Sequence, residues 1–150
     1  MKIALIIFIS IIAIVLIYFF YLGYTSQTGT ANGIVNSKLT PCSKKPNCIC
    51  TEFAEDNAHF IEPVTSQSTS INNVITAIET TGGKIINTRS NYIYATYTSR
   101  IFRYVDDFEV RIDAENKLIH IRSASRVGHS DMGANLKRIE KVKQILGDIK

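Results

Sequence analysis

Arg122, Arg126 and Arg138 crowd the last third of this 150-residue chain, interleaved with Asp131 and Asn135, and Glu109 precedes them. A guanidinium offers planar, paired donors that suit a carboxylate, a phosphate or a lipid headgroup. Asp131, Asn135 and Arg138 recur at i, i+4 and i+7, so a helix would carry all three on one face. These six side chains form the candidate binding site for an anionic ligand, helped by the helix N-terminus expected near Asp131. Two other roles fit the same residues. Arginines matched with carboxylates make a purely structural network, and His129 or Asp131 beside them would serve a small enzyme as general base.

Other chemistry is weaker. Gly128-His129-Ser130-Asp131-Met132-Gly133 follows a strand and opens a helix, but it is one residue longer than a nucleophile elbow and its sheet reads as antiparallel. Ser130 fits an N-cap better. His59, His120 and His129 are dispersed, and the glycines form neither a phosphate loop nor a dinucleotide fingerprint. His120 reads as a solvent-side strand residue. Asp106 and Asp107 would point to opposite faces of a strand, so a turn-capping role is expected of them. No catalytic residue and no cofactor is assigned.

The three cysteines, Cys42, Cys48 and Cys50, lie close together, an odd number that leaves one unpaired. Cys42 with Cys48 closes a short loop that Pro46-Asn47 can turn, whereas Cys48 with Cys50 is near the upper limit of separation for a bridge. A Cys3His metal set with His59 is the alternative, at a spacing unlike the usual zinc knuckles.

The elements that must position these groups follow from periodicity. Ile71, Val74, Ile75 and Ile78 mark an amphipathic helix over 70–81, with cap candidates at 68–70 and Gly82-Gly83 as its stop. Residues 84–88 and 92–98 read as strands around the turn at 89–91. Phe108, Val110 and Ile112 alternate with Glu109, Arg111 and Asp113, which describes a half-buried strand. Residues 117–123 form the next, with Ile119 and Ile121 inward and His120 and Arg122 outward. Keeping both apolar sets on one face requires paired residue numbers to sum to about 231, which puts Glu109 opposite Arg122. A last helix over 131–147 carries the stripe Met132, Leu136, Ile139, Val142 or Lys143, and Leu146.

Ahead of all this runs a charge-free apolar stretch, Ile3 to Leu22, about the 20 residues a helix needs to cross a bilayer. Lys2 precedes it and residues 23–37 hold no base, so the positive-inside bias predicts a cytoplasmic start and an exported body. Tyr18, Tyr21 and Tyr24 cluster at the far end, where the headgroup layer would be. A cleaved signal peptide is the rival, with a passable site at Gly29-Thr30-Ala31, but the run exceeds a usual h-region. The expected organisation is an anchor at 1–23, a Ser/Thr/Gly/Asn linker at 24–37 and one exported α+β domain at 38–150. Without Lys2 the body has 16 basic and 13 acidic residues. Glu52, Glu55, Asp56 and Glu62 form a base-free acidic stretch, while 122–150 is basic enough to favour anionic headgroups or polyanions. An exported domain would rarely meet nucleic acid, and none is expected as a partner.

The stretches Asp106-Asp107-Phe108-Glu109 and Arg122-Ser-Ala-Ser-Arg126-Val-Gly128-His-Ser-Asp131-Met-Gly133-Ala-Asn135-Leu-Lys-Arg138-Ile-Glu140 resemble the C-terminal signature of the family known as domain of unknown function 1499. Cys42 and Pro46-Asn47-Cys48, then His59, Ile61 and Pro63, resemble its N-terminal elements, so the resemblance covers about 39–146. It departs at Lys45, Cys50 and Leu136. Because a cysteine is unusual at position 50 there, the resemblance implies a Cys42–Cys48 disulfide with Cys50 free. It implies no reaction. The expected fold is an N-terminal transmembrane helix followed by a mainly antiparallel sheet of about four strands packed on two helices. The expected role is binding: the bilayer through the first helix, and an anionic small molecule or an envelope protein through the arginine site.

Overall fold

The computed structural model describes residues 1–65 and 70–148, so the cap candidates at 68 and 69 and the terminal Lys150 lie outside the described residues. Helix α1, Lys2–Ser26, is 25 residues long and carries its apolar side chains outward. At 1.5 Å per residue it measures about 37 Å, long and apolar enough to cross a membrane. It continues three residues beyond the expected end because Gly23 seats against the domain. A Cβ on Gly23 would lie 1.7 Å from the Phe102 carbonyl oxygen, a contact only glycine permits.

The body is an α+β domain around one antiparallel sheet. Its short strands are β1 (Ile34–Val35), β2 (Lys38–Leu39), β3 (Cys48–Cys50) and β4 (Val64–Thr65). Helix α2 (Ile71–Thr80) follows, then the long strands β5 (Lys84–Arg89), β6 (Tyr92–Thr98), β7 (Val105–Asp113) and β8 (Leu118–Ser125), and finally helix α3 (Ala134–Asp148). The main sheet has six strands in the order β3-β8-β7-β6-β5, with β4 also on β8, while β1 and β2 form a separate hairpin. The four long strands are those the alternation predicts; β3 and β4 are too short to show a period. Glu109 stands opposite Arg122, as the inward phasing of Phe108 and Ile121 demands.

One face of the sheet is closed by the helices. Ile93, Ala95, Phe108, Val110, Ile119 and Ile121 pack on Val74, Ala77 and Ile78 of α2 and on Ile139, Val142 and Leu146 of α3. Ser70 caps α2 by accepting from the Asn73 N–H, and the chain leaves through Gly82 at φ +92°. Helix α3 starts later than the stripe implies. Met132, at φ +54° and 93% exposed, lies before it rather than in the core, because Asp131 ends the loop by accepting from the N–H groups of Gly133 and Asn135.

The opposite face differs from its expected solvation. Glu109 is fully buried, and Asp107, His120 and Arg122 nearly so. The reason is residues 24–37, which do not swing free: Ser26 and Gly33 hydrogen-bond to β7, and Leu39 is buried with Cys50, Tyr92 and Tyr94. Leu39, fully apolar and next to the linker, is the residue that needed this cover.

Candidate functional site

Antiparallel pairing arranges the covered face in rows. Arg89, Tyr92, Arg111 and His120 stand side by side on β5 to β8; Tyr94, Glu109, Arg122 and Cys50 form the next row, and Thr96, Asp107, Ala124 and Cys48 the third. The rows carry three ion-pair systems. In the middle one, Arg122 Nη1 donates to Glu109 Oε2 at 2.8 Å, while the Tyr92 hydroxyl (2.8 Å) and the Gly33 N–H (2.9 Å) donate to Glu109 Oε1. Arg122 Nε is buried with no hydrogen-bond partner among the described residues. In the third row, Arg126 reaches Asp107 Oδ1 through Nε and Nη2 at 3.0 and 2.8 Å, and Tyr94 donates to the same oxygen at 2.7 Å. Arg126 Nη1 also donates to the Ser26 carbonyl at 2.9 Å. In the first row, Arg111 pairs with Glu52 and Asp113.

The six residues expected to form one cluster therefore divide between the two faces of the sheet. Glu109, Arg122 and Arg126 lie on the covered face. Asn135 and Arg138 lie on the helix face, where Arg138 donates to Asp106 at 2.9 Å and to Ser123 at 3.0 Å and stacks 4.4 Å over the Tyr97 ring. Asp131 serves as the cap of α3. Asp106 and Asp107 do point to opposite faces, each to meet an arginine rather than to cap a turn. The buried Asn47 joins the parts: its side chain donates to the Gly128 carbonyl, and its carbonyl accepts from Ser125 N–H and from the Asn135 amide.

Asn47 is held by a Cys42–Cys48 disulfide with a Cα–Cα distance of 5.6 Å. Cys50 is a free, buried thiol, pushed up to about 11 chiefly by burial. His59 points both ring nitrogens at acceptors, Asp56 and the Lys45 carbonyl. Among the described residues no group of three His, Cys, Asp or Glu side chains could hold a metal ion. His120 sits against Thr51 and 3.8 Å from Glu52 rather than in solvent. Burial pushes its protonation down, Arg111 adds to this, and Glu52 opposes it.

The disulfide loop lies against β8 and α3, joined to both through Asn47. The model of a family described as a protein of unknown function (DUF1499) matches residues 38–146. The chain belongs to that family. No curated protein matches it.

Between the DUF1499 domain and the segment that precedes it lies a cavity that the arginine motif does not itself line. It measures about 630 Å3 and opens between residues 30–37, the β5–β6 turn and Arg111, a size suited to a small molecule. Arg89, Arg111, Asn87, Asn91, Tyr92 and Tyr94 supply its polar side-chain wall, and no carboxylate lines it. Arg89 is exposed and has no ion-pair partner among the described residues. Arg89 and Arg111 flank Tyr92 on successive strands, which spaces their backbones about 10 Å apart. The Tyr92 phenol is pushed well above its ordinary value by burial and by the Glu109 carboxylate, to which its hydroxyl donates. Glu109–Arg122 and Asp107–Arg126 lie directly behind the wall, gripping the hydroxyls of Tyr92 and Tyr94. Sequence reasoning missed Arg89 and Arg111 because their one signal, a shared row with Tyr92, exists only once the β5–β6–β7 register is known.

Proposed function

We propose that this protein is an anchored, extracytoplasmic binding module that takes an anionic small molecule, one bearing carboxylate or phosphate, in the cavity beside Arg89 and Arg111. The observation carrying this reading is a polar cavity with two guanidinium groups and no lining carboxylate. An unmatched arginine at its rim gives such a ligand a charge-assisted partner. Arg122 and Arg126 act here as supports that hold the two tyrosines of the wall, with Glu109 as the acceptor shared by Arg122 and Tyr92 and Asp107 as the acceptor shared by Arg126 and Tyr94. Arg138, Asp131 and Asn135 secure α3 behind the sheet.

Two features support the anchor and its side. Cleavage at Gly29-Thr30-Ala31 would remove Ser26 and Gln27, whose groups accept from the Val105 N–H and from Arg126, which supports the reading of α1 as uncleaved. The disulfide favours an oxidising compartment. The cavity is joined to the end of α1 through Arg126, which donates both to the Tyr94 hydroxyl at 2.7 Å and to the Ser26 carbonyl at 2.9 Å.

The test is thermal denaturation of the full chain in detergent with inorganic phosphate, citrate or a neutral sugar as the added probe. An anion should raise the melting temperature of the wild type and leave Arg89→Ala unmoved; equal responses to citrate and sugar would end the reading. A catalytic version with His129 or Asp131 as base has no support from this geometry: neither lines the cavity, and Asp131 is committed to capping.

A further inference from the structure

The loop between β6 and β7 carries Arg100-Ile101-Phe102-Arg103-Tyr104, an unusual composition for a hairpin tip, which ordinarily favours Gly, Asn and Asp. Ile101 is 69% exposed, and Arg100 and Arg103 are exposed beside it. Neither arginine has an ion-pair partner among the described residues; the ion pairs lie elsewhere in the sheet. The loop is bound to the end of α1. Phe102 stacks on Phe19 and Phe20 with ring centroids 5.3 and 5.2 Å apart and meets Tyr104 at 5.9 Å. Gly23 abuts its backbone, and Gln27 donates to the Arg103 carbonyl.

Phe19 and Phe20 lie inside the charge-free run that ends at Leu22. If that run occupies the hydrocarbon, a ring packed against Phe19 lies at most about 5 Å below its end at 1.5 Å per residue. Exposed Ile101 on the same tip would then meet acyl chains instead of water, and two unpaired guanidinium groups would stand at phosphate height, where basic residues are favoured. Tyr104 joins Tyr18, Tyr21 and Tyr24 at a level suited to an aromatic belt.

We propose that the 99–104 loop is a second membrane contact, with Ile101 and Phe102 inserted beside α1 at the hydrocarbon boundary and Arg100 and Arg103 on lipid phosphates. The occupant is the bilayer itself, because the patch is continuous with the helix that enters it. The contact would hold β6 and β7 pointing away from the membrane and present the cavity to the aqueous side. It rests on α1 spanning the bilayer but not on what the cavity binds.

The chain contains no tryptophan, so single-tryptophan variants of the full protein report depth in vesicles of phosphatidylcholine and phosphatidylglycerol. Ile12→Trp, mid-anchor, should be quenched best by lipids brominated near the acyl terminus. Ile101→Trp should be blue-shifted and quenched best by lipids brominated near the headgroup, and Glu115→Trp, in the turn at the far end of β7, should be quenched by neither. Adding Arg100→Gln and Arg103→Gln to Ile101→Trp should weaken its quenching and leave Ile12→Trp unchanged. An unquenched Ile101→Trp beside a quenched Ile12→Trp overturns the loop contact alone; if Ile12→Trp is unquenched too, the anchor reading falls with it.

Discussion

The two faces of the sheet solve the same burial problem with different materials. The helix face is closed by α2 and α3 over aliphatic side chains, with Arg138, Asn135 and Asp106 confined to one margin. The other face is closed by an extended segment over Glu109, Arg122, Asp107 and Arg126, hydrogen-bonded to two tyrosines. An apolar face needs only shape and tolerates rearrangement, whereas a buried ion pair needs every partner and gains little net stability over an apolar equivalent. Polar closure therefore makes sense where a wall must also carry oriented hydroxyls next to an opening. In this chain Arg122 and Arg126 are turned inward, paired with the carboxylates that hold the Tyr92 and Tyr94 hydroxyls, while Arg89 meets the solvent.

Breaking each face in turn should give the largest effects. Phe108→Ala should cost about 3–5 kcal/mol through the cavity it leaves. Glu109→Ala should cost about as much, because Arg122 would be left buried without its carboxylate. Thermal melts of the detergent-solubilised chain compare them. Replacing both members, Glu109→Leu with Arg122→Met, should recover only the part of the loss owed to the stranded guanidinium, because the Tyr92 hydroxyl and the Gly33 N–H also lose their acceptor; a double change as unstable as the single would show that those two donors, and not Arg122, carry the cost. Next comes the clasp at the sheet's edge. Removing the disulfide with Cys42→Ser and Cys48→Ser should cost about 2 kcal/mol on the chain-entropy account for so short a loop, and hydrogen exchange should rise at the Ser125 amide, which the Asn47 carbonyl holds.

A smaller effect should follow pH. His120 is held below its ordinary value in the folded chain, chiefly by burial, so below about pH 6.5 the unfolded chain takes up a proton that the native state resists. Stability should be complete above that pH and fall as pH drops through it, until the depressed native value is reached. His120→Gln should flatten this part of the curve; an unchanged curve would remove His120 as its source. The smallest effect on stability belongs to Arg89→Ala, within about 0.5 kcal/mol as for an exposed residue without partners. The same change should abolish the anion-induced rise in melting temperature, which separates the wall's contact residue from its supports.

Amphipathic period and a charge-free run are local properties, and so they were legible: the apolar helix, α2, the four long strands and the pairing of Glu109 with Arg122 all follow from where Ile, Val and Phe fall. The cysteine pairing and the extent of the family unit came through resemblance, since spacing left a metal set open. Hidden from a linear reading were the matches across distance. Arg126 meets Asp107 and Ser26, Glu109 meets Gly33, and Arg89 comes level with Arg111, because strand registers and the path of residues 28–40 bring them there. Alternation correctly assigns Glu109 and Arg122 to the face away from the helices, but whether that face meets water depends on what lies over it. A charged side chain enters the interior only when partners from remote segments satisfy it, so that choice belonged to the tertiary structure alone.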